Sequence, residues 1–322
     1  MPLKIVVCGA GFLGSNIARQ IATAPKVNDI TRRVQLSSRN PHRLHAKLER
    51  EVPSHSLSPP IAVDVTKPNT LAPAFEGAKV IVSLVGLMRG SPQQFDEIQW
   101  HGAENVAYAA KQVGAKLVHF SAIGADAGSH IPYPRTKGLA EKSVLEICPN
   151  ATIIRPSLVF GPEDDFFNRF AKLARFLPFL PVYDGGTSRF QPVYVGDLAR
   201  AVEIISRLDA TIEKQVSGKV IEAGGPDIFT FKQLMELVLD YSHRRRPIIS
   251  FPFAFGYMQG AILEKLPVNL FTVTRAQVEQ LRKDNIVTEE NGENRFSFKN
   301  LIAEGYHPPL RSLVEILPQY LQ

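Results

Sequence analysis

A chain of 322 residues, 44% of them hydrophobic and 21% charged, can bury a large core and has the balance of an ordinary globular protein in one large domain or two unequal ones. Its 37 lysines and arginines against 31 acidic residues leave a surplus of six that is scattered except at Arg244-Arg245-Arg246; this argues against nucleic acid and suits phosphate-bearing ligands or an anionic membrane face. The two cysteines, Cys8 and Cys148, both sit among apolar residues, which argues against a disulfide framework or a metal site and for a reducing compartment.

The chain opens on "LKIVVCGAGFLG", a buried strand already running into a turn by residue 9, so no leader is expected ahead of the fold. Short apolar runs then alternate with helical patterns: "KIVVC", "RVQLS", "PIAVD", "KVIVSLVG", "KLVHFSA" and "ATIIRPS". Several are apolar on both faces, as parallel strands covered by helices are, and the pattern predicts an α/β fold with a Rossmann-type doubly wound parallel sheet. From about Gly161 to residue 192 a Pro- and Gly-rich excursion leaves the sheet; "VGDLARAVEIISRL" resumes as a helix and "KVIEAGG" returns as a strand. A Rossmann domain over 1–225 is therefore expected, followed over 226–322 by a smaller, mostly helical C-terminal region for substrate or partner, carrying "TFKQLMELVLDYSH", "TRAQVEQLRKDN" and "SLVEILPQYL". Asn291-Gly292 marks a turn.

Gly9, Gly11 and Gly14 follow the first strand directly and open a helix at Phe12 and Leu13. The first glycine permits a tight turn, the second a close backbone approach to a pyrophosphate, and the third close helix–strand packing, with helix N–H groups left for the phosphates. Where an NAD-selective site places an acidic residue at the end of the second strand, this chain has Ser37, Ser38 and Arg39, with Arg43 one turn on. Arginine grips a 2′-phosphate, so NADP(H) is favoured. Asp64, ending "AVDVT", is equally an approach to the adenine edge and a turn-forming aspartate. Gly86 keeps the backbone low beside the cofactor.

In "HIPYPRTKGLAEKSVLE", Tyr133 and Lys137 share a helix face, and Pro134 requires the first helical turn, which puts Tyr133 at the helix entrance. A phenol beside an ammonium is expected to have its pKa lowered and to exchange a proton with a carbonyl or alcohol, with Ser121 hydrogen-bonding the same oxygen. His101 and His119 lack metal-ligand spacing.

With the N-terminal glycine turn, the blocks "HFSAIGAD", "YPRTKGLAEK", "IIRPSLVFGPEDDFFNRFAKLARF", "SRFQPVYVGDLARAV" and "GGPDIFTFKQLMELV" resemble the short-chain dehydrogenase/reductase superfamily. More narrowly, they resemble its atypical branch, which holds the NADPH-binding accessory subunit of respiratory complex I, its bacterial relatives and a fungal mitochondrial protein of coenzyme Q biosynthesis. The resemblance covers residues 3 to about 320. It implies NADP(H) and a peripheral place on the mitochondrial matrix side of the inner membrane, or the cytoplasm in a bacterium, with complex I or a coenzyme Q biosynthetic complex as partner. It further implies that Tyr133 and Lys137 reach the nicotinamide ribose and that the backbone around Pro156 and Ser157 lies near the carboxamide.

Two departures stand against that pattern. Cys8 occupies the place where relatives begin with glycine, and Ser121 lies only twelve positions before Tyr133, with Ser129 a possible substitute. Three functional readings follow: an NADP(H)-binding accessory protein whose nucleotide is structural, a freestanding reductase or epimerase of a sugar or lipid-derived carbonyl, and an NADPH-sensing interaction protein. The apolar run Pro247 to Leu263, too short and too broken to span a bilayer, is either an interfacial or prenyl-facing segment or an apolar lid packed on the second domain. The phenylalanines of "DDFFNRFAKLARFLPFLP" line an apolar pocket or build core.

Overall fold

The computed structural model describes residues 2–26, 30–265, 267, 269–288, 295–305 and 308–321. The expected Asn291-Gly292 turn lies outside them. Seven strands form one parallel sheet: β1 (Leu3–Cys8), β2 (Arg32–Ser38), β3 (Ile61–Ala62), β4 (Ala78–Ser83), β5 (Lys116–Phe120), β6 (Thr152–Pro156) and β7 (Val220–Ala223). Their order across the sheet is β7-β6-β5-β4-β1-β2-β3, so the order of strand addition reverses between β1 and β4, the doubly wound arrangement that the alternating apolar runs predict.

Ile5, Val6, Val7 and Cys8 are all buried, which requires cover on both faces of the sheet. On one face Val6, Ile81, Leu117 and Ile153 pack with Ala103, Val106, Ala107 and Ala110 of the helix Gly102–Gln112 and with Ala140 and Val144. Alanines on the helix surfaces bring backbone and sheet close. Both cysteines are buried and free.

The chain divides into two compact units that interleave in sequence: Met1–Pro156, Val195–Ala223 and Glu289–Pro309 make the first, and Ser157–Tyr194, Gly224–Thr288 and Leu310–Gln322 the second. The segment expected as an excursion from the sheet lies in the second unit, and residues 289–309, expected in a C-terminal region, lie in the first. The second unit is mostly helical, with Phe166–Phe176, Phe231–Tyr241 and Phe253–Leu263 among its described helices. It contains three two-stranded pairings, such as Ile248–Phe251 beside Leu180–Tyr183, which a run of short Pro-flanked segments does not reveal. Its centre is aromatic: Phe160, Phe167, Phe190 and Phe231 are buried, with Phe166 and Phe170 ringed around Phe231, so Phe166, Phe167 and Phe170 of the aromatic run build core, whereas Phe176 is exposed.

Candidate functional site

Parallel strands end at one edge of the sheet, so the residues directly after β1, β4 and β5 gather there within the first unit. Gly9 has φ 136° and its N–H donates to the Ser37 carbonyl at 2.8 Å, tying the turn to β2. A Cβ at Gly14 would lie 1.8 Å from the Gly9 carbonyl oxygen, so only glycine lets the helix α1 (Phe12–Thr23) approach the turn. Gly11 is different: it is exposed, and a Cβ there would meet no protein atom within 4 Å. It stands at the head of α1 with no side chain capping that end and no acidic residue in the first turn, Phe12 and Leu13 being half-buried behind it. An open turn at an uncapped helix N-terminus fits a pyrophosphate.

Ser38, the last residue of β2, is half-buried, and Arg39 and Arg43 beyond it are exposed. Asp64 accepts from the Thr66 hydroxyl at 2.8 Å and the Thr66 N–H at 3.1 Å, the geometry of a turn-forming aspartate. Those bonds, with Lys67 and Arg39 nearby, hold its carboxyl below the usual range.

Lys137 sits on the helix α2 (Pro132–Ile147), with Pro132 at its first position. Its ammonium is buried and donates to the carbonyls of Val85 at 3.0 Å and Phe120 at 2.8 Å, bracing the loops that leave β4 and β5. Burial pulls its pKa down to about 8, opposed by Glu141 one turn along. Arg155 of β6 clamps Glu141 through both carboxylate oxygens, at 2.8 and 2.6 Å, which fixes α2 on the sheet. A Cβ at Gly86 would stand 3.2 Å from the Lys137 Nζ, so this glycine makes room for the ammonium.

Tyr133 does lie at the entrance of α2, half-buried with its ring edge-on to Phe95 at 6.3 Å. The expected lowering of its pKa does not occur. Burial pushes the phenol up to about 12, and the Lys137 ammonium is engaged by two main-chain carbonyls. Ser121 is buried one residue past the Phe120 carbonyl that Lys137 holds, and its hydroxyl has no hydrogen-bond partner. Ser129 accepts from the Ile131 N–H at 3.2 Å, a local turn contact. The Pro156 carbonyl accepts from Ile123, and in the second unit the Ser157 hydroxyl contacts both oxygens of Asn285.

Three residues of the site escape sequence reasoning. Gln99, fully buried, accepts from the Leu87 N–H at 3.1 Å and donates to the Tyr133 carbonyl at 3.0 Å and the Thr136 hydroxyl at 2.8 Å, fastening the loop after β4 to the head of α2. Its signal was a polar residue on the apolar stripe of Phe95, Ala103 and Val106. Gly138 lets the Asp126–Ala127 backbone dock on α2, because a Cβ there would lie 2.3 Å from the Ala127 nitrogen; a glycine inside a helical pattern is the mark of such an approach. Ser83 lies opposite His119 in the β4–β5 register and contacts its Nδ1 at 3.1 Å, while the His119 Nε2 has no partner. Burial, then the Lys137 charge, pull His119 down to about 3, so the ring is neutral. His101 is exposed against Glu104, and no group of metal-ligating residues occurs among the described residues.

Residues 5–220 match the family described as NAD dependent epimerase/dehydratase. Among curated relatives, the mitochondrial NADH dehydrogenase (ubiquinone) 1 alpha subcomplex subunit 9 of Arabidopsis thaliana is 29% identical over 300 residues, covering 90% of this chain and 71% of the relative. Its namesake from Dictyostelium discoideum is 30% identical over 182 residues, and the match spans about half of that protein, 49%. A ceramide reductase of Caulobacter vibrioides is 32% identical over 198 residues, 61% of this chain and 58% of the relative. Among solved structures, the Citrobacter triphenylmethane reductase complexed with NADP(H) superposes with a TM-score of 0.71 at 17% identity, covering 99% of this chain and 100% of that one, a likeness of fold.

Proposed function

The chain belongs to the NAD dependent epimerase/dehydratase family, and from that premise we propose that it holds NADP(H) as a structural or sensing ligand while serving as an accessory protein of mitochondrial complex I or of coenzyme Q biosynthesis, on the matrix side of the inner membrane. The observation that carries the nucleotide is the junction of β1 and α1: an open, uncapped helix start at Gly11, with Arg39 at the end of β2 where NAD-selective sites carry an acidic residue. In this reading Gly9, Gly11 and Gly14 seat the pyrophosphate, Arg39 and Arg43 take the 2′-phosphate, and Tyr133 and Lys137 meet the ribose.

Bound NADPH would bring a transferable hydride. Holding is supported over alcohol oxidation, since a phenol raised to about 12 is a poor base and the Lys137 ammonium that would lower it is engaged by two carbonyls. The relatives named as complex I subunits support the choice of partner. Denaturing the protein as purified and identifying the released nucleotide tests the proposal. NADP(H) near one per chain is expected, and released NAD(H) would oppose it.

A second reading, a reductase of a lipid-derived carbonyl, is favoured by the Ser121 hydroxyl, which no other protein group holds at the end of β5, and by the ceramide reductase relative. NADPH oxidation on adding a ketolipid, lost in Tyr133→Phe, would establish it.

A further inference from the structure

The apolar run after Arg246 forms the helix α3 (Phe253–Leu263), and it is packed inside out. Its only buried residues are Gly256 and Gly260. A Cβ at Gly256 would lie 2.7 Å from the Tyr183 ring, and one at Gly260 would lie 2.7 Å from the Arg275 nitrogen, so the two glycines are what seat the helix. Three large side chains face away, Phe255 at 41% exposed, Met258 at 57% and Ile262 at 59%, a spacing that makes one helical face, while Phe253 and Tyr257 are half-buried. Phe255 stacks on Phe251 at 4.8 Å, and Phe251 meets Phe179 at 5.8 Å, which continues the apolar strip along the second unit. Ile249, Phe271 and Phe176 are exposed in the same unit.

The sequence on either side of this helix is basic. Residues 241–284 carry seven lysines and arginines against three acidic residues, a surplus of four out of the six of the whole chain. Arg244, Arg245 and Arg246 are all exposed, and the Arg246 side chain contacts the Ala174 carbonyl at 3.3 Å, near the end of the helix that terminates at Phe176. Arg282 lies over the rings of Phe253, at 4.9 Å, and Tyr257. Two of the three carboxylates are paired, Glu264 with Arg275 at 3.1 Å and Asp284 with Arg189 at 2.7 Å.

We propose that the α3 face with the Arg244–Arg246 cluster is a docking surface for an anionic phospholipid bilayer. An outward Phe/Met/Ile face with an exposed arginine cluster in the same unit has the chemistry of a helix lying in the headgroup region. Eleven residues make about 16 Å of helix, about half the hydrocarbon thickness, so α3 rests in the surface plane. No helix among the described residues is long and apolar enough to cross a membrane. A second copy of the chain is disfavoured as the occupant because a self-complementary contact sets one basic surplus against another. Docking through α3 requires no bound nucleotide.

The test is flotation of the full chain with vesicles of phosphatidylcholine alone and of phosphatidylcholine mixed with phosphatidylglycerol. Partition onto the anionic vesicles is expected to be at least about tenfold stronger and to collapse at high salt. Replacing Arg244, Arg245 and Arg246 by Gln is expected to weaken it on the order of a hundredfold, about fivefold per arginine. The triple variant Phe255→Ser, Met258→Ser, Ile262→Ser is expected to lose binding while its melting temperature stays within a few degrees of the parent, and if it fails to fold, the single Met258→Ser and Arg245→Gln variants are scored instead, each binding several-fold more weakly. Equal partition onto both vesicle types, unchanged binding by the variants, or dimerisation in sedimentation that the serine substitutions abolish without vesicle binding would each overturn the proposal.

Discussion

The Lys137 ammonium donates to the Phe120 carbonyl at 2.8 Å, and this contact sets the character of the site. The lysine works as a brace between α2 and the ends of β4 and β5, the Val85 carbonyl being its second partner. Lys137→Met should therefore lower stability by about 1–3 kcal/mol for each buried carbonyl left unpaired, offset in part by removal of a buried charge, and should weaken nucleotide binding with it. Chemical denaturation and NADPH titration of the two proteins measure both; an unchanged midpoint would show that the carbonyls are satisfied without it.

The glycine turn separates packing from binding. Gly14→Ala drives a methyl to 1.8 Å from the Gly9 oxygen and should cost about 1–3 kcal/mol or more. Gly11→Ala meets nothing within 4 Å. It should change the stability of the ligand-free protein by less than about 0.5 kcal/mol, and its methyl should reduce NADPH affinity on the order of tenfold. Thermal melts with and without NADPH check both halves. Equal losses of stability in the two variants would deny Gly11 a ligand-facing role.

Arg39 should decide between nicotinamide cofactors. A charge-assisted bond to a 2′-phosphate is worth about 1.5–3 kcal/mol, so Arg39→Asp should shift the NADPH:NADH affinity ratio toward NADH about tenfold to a hundredfold. Calorimetric titration with each nucleotide measures it. A ratio unmoved by the substitution would leave Arg39 as a solvated loop residue.

His119 predicts a pH effect. Its folded pKa is about 3 against 6.5 in the unfolded chain, so the unfolded chain binds the extra proton between those values. Its contribution is complete above pH about 6.5 and is lost as pH falls toward 3, at about 1.4 kcal/mol per pH unit. His119→Gln should flatten that acid limb in urea unfolding across the window; a slope identical to the parent's would place the acid sensitivity elsewhere.

What the sequence shows of this molecule is what is local. The apolar runs of β1, β2, β4, β5 and β6, the Gly9–Gly14 turn and the helix start at Pro132 depend on neighbours in the chain, and all stand where residue patterning puts them. What is hidden depends on distant partners. The Gln99 contacts join residues up to 37 positions apart, and the Tyr133 phenol is raised by burial, which a Tyr-x-x-x-Lys spacing does not show. The interleaving of the two units is legible only in part: the Pro- and Gly-rich run 161–192 marks a departure from the sheet, whereas no composition shift marks where the described residues after 295 pack.

Tyr133→Phe separates holding from turnover. The ring keeps its edge-on contact with Phe95, so NADPH affinity should remain within a few-fold of the parent. Affinity lost on the order of a hundredfold, about 2.7 kcal/mol, would make the hydroxyl a principal nucleotide ligand.

The central claim is tested most directly by stripping the purified protein of nucleotide and titrating it with NADPH and with NADH, following thermal stability and absorbance of the reduced cofactor together with quinone-like and carbonyl compounds present. The account predicts a melting temperature raised by NADPH well above any effect of NADH, and a cofactor that stays reduced. Stabilisation by NADH alone, or rapid oxidation of NADPH, would contradict it.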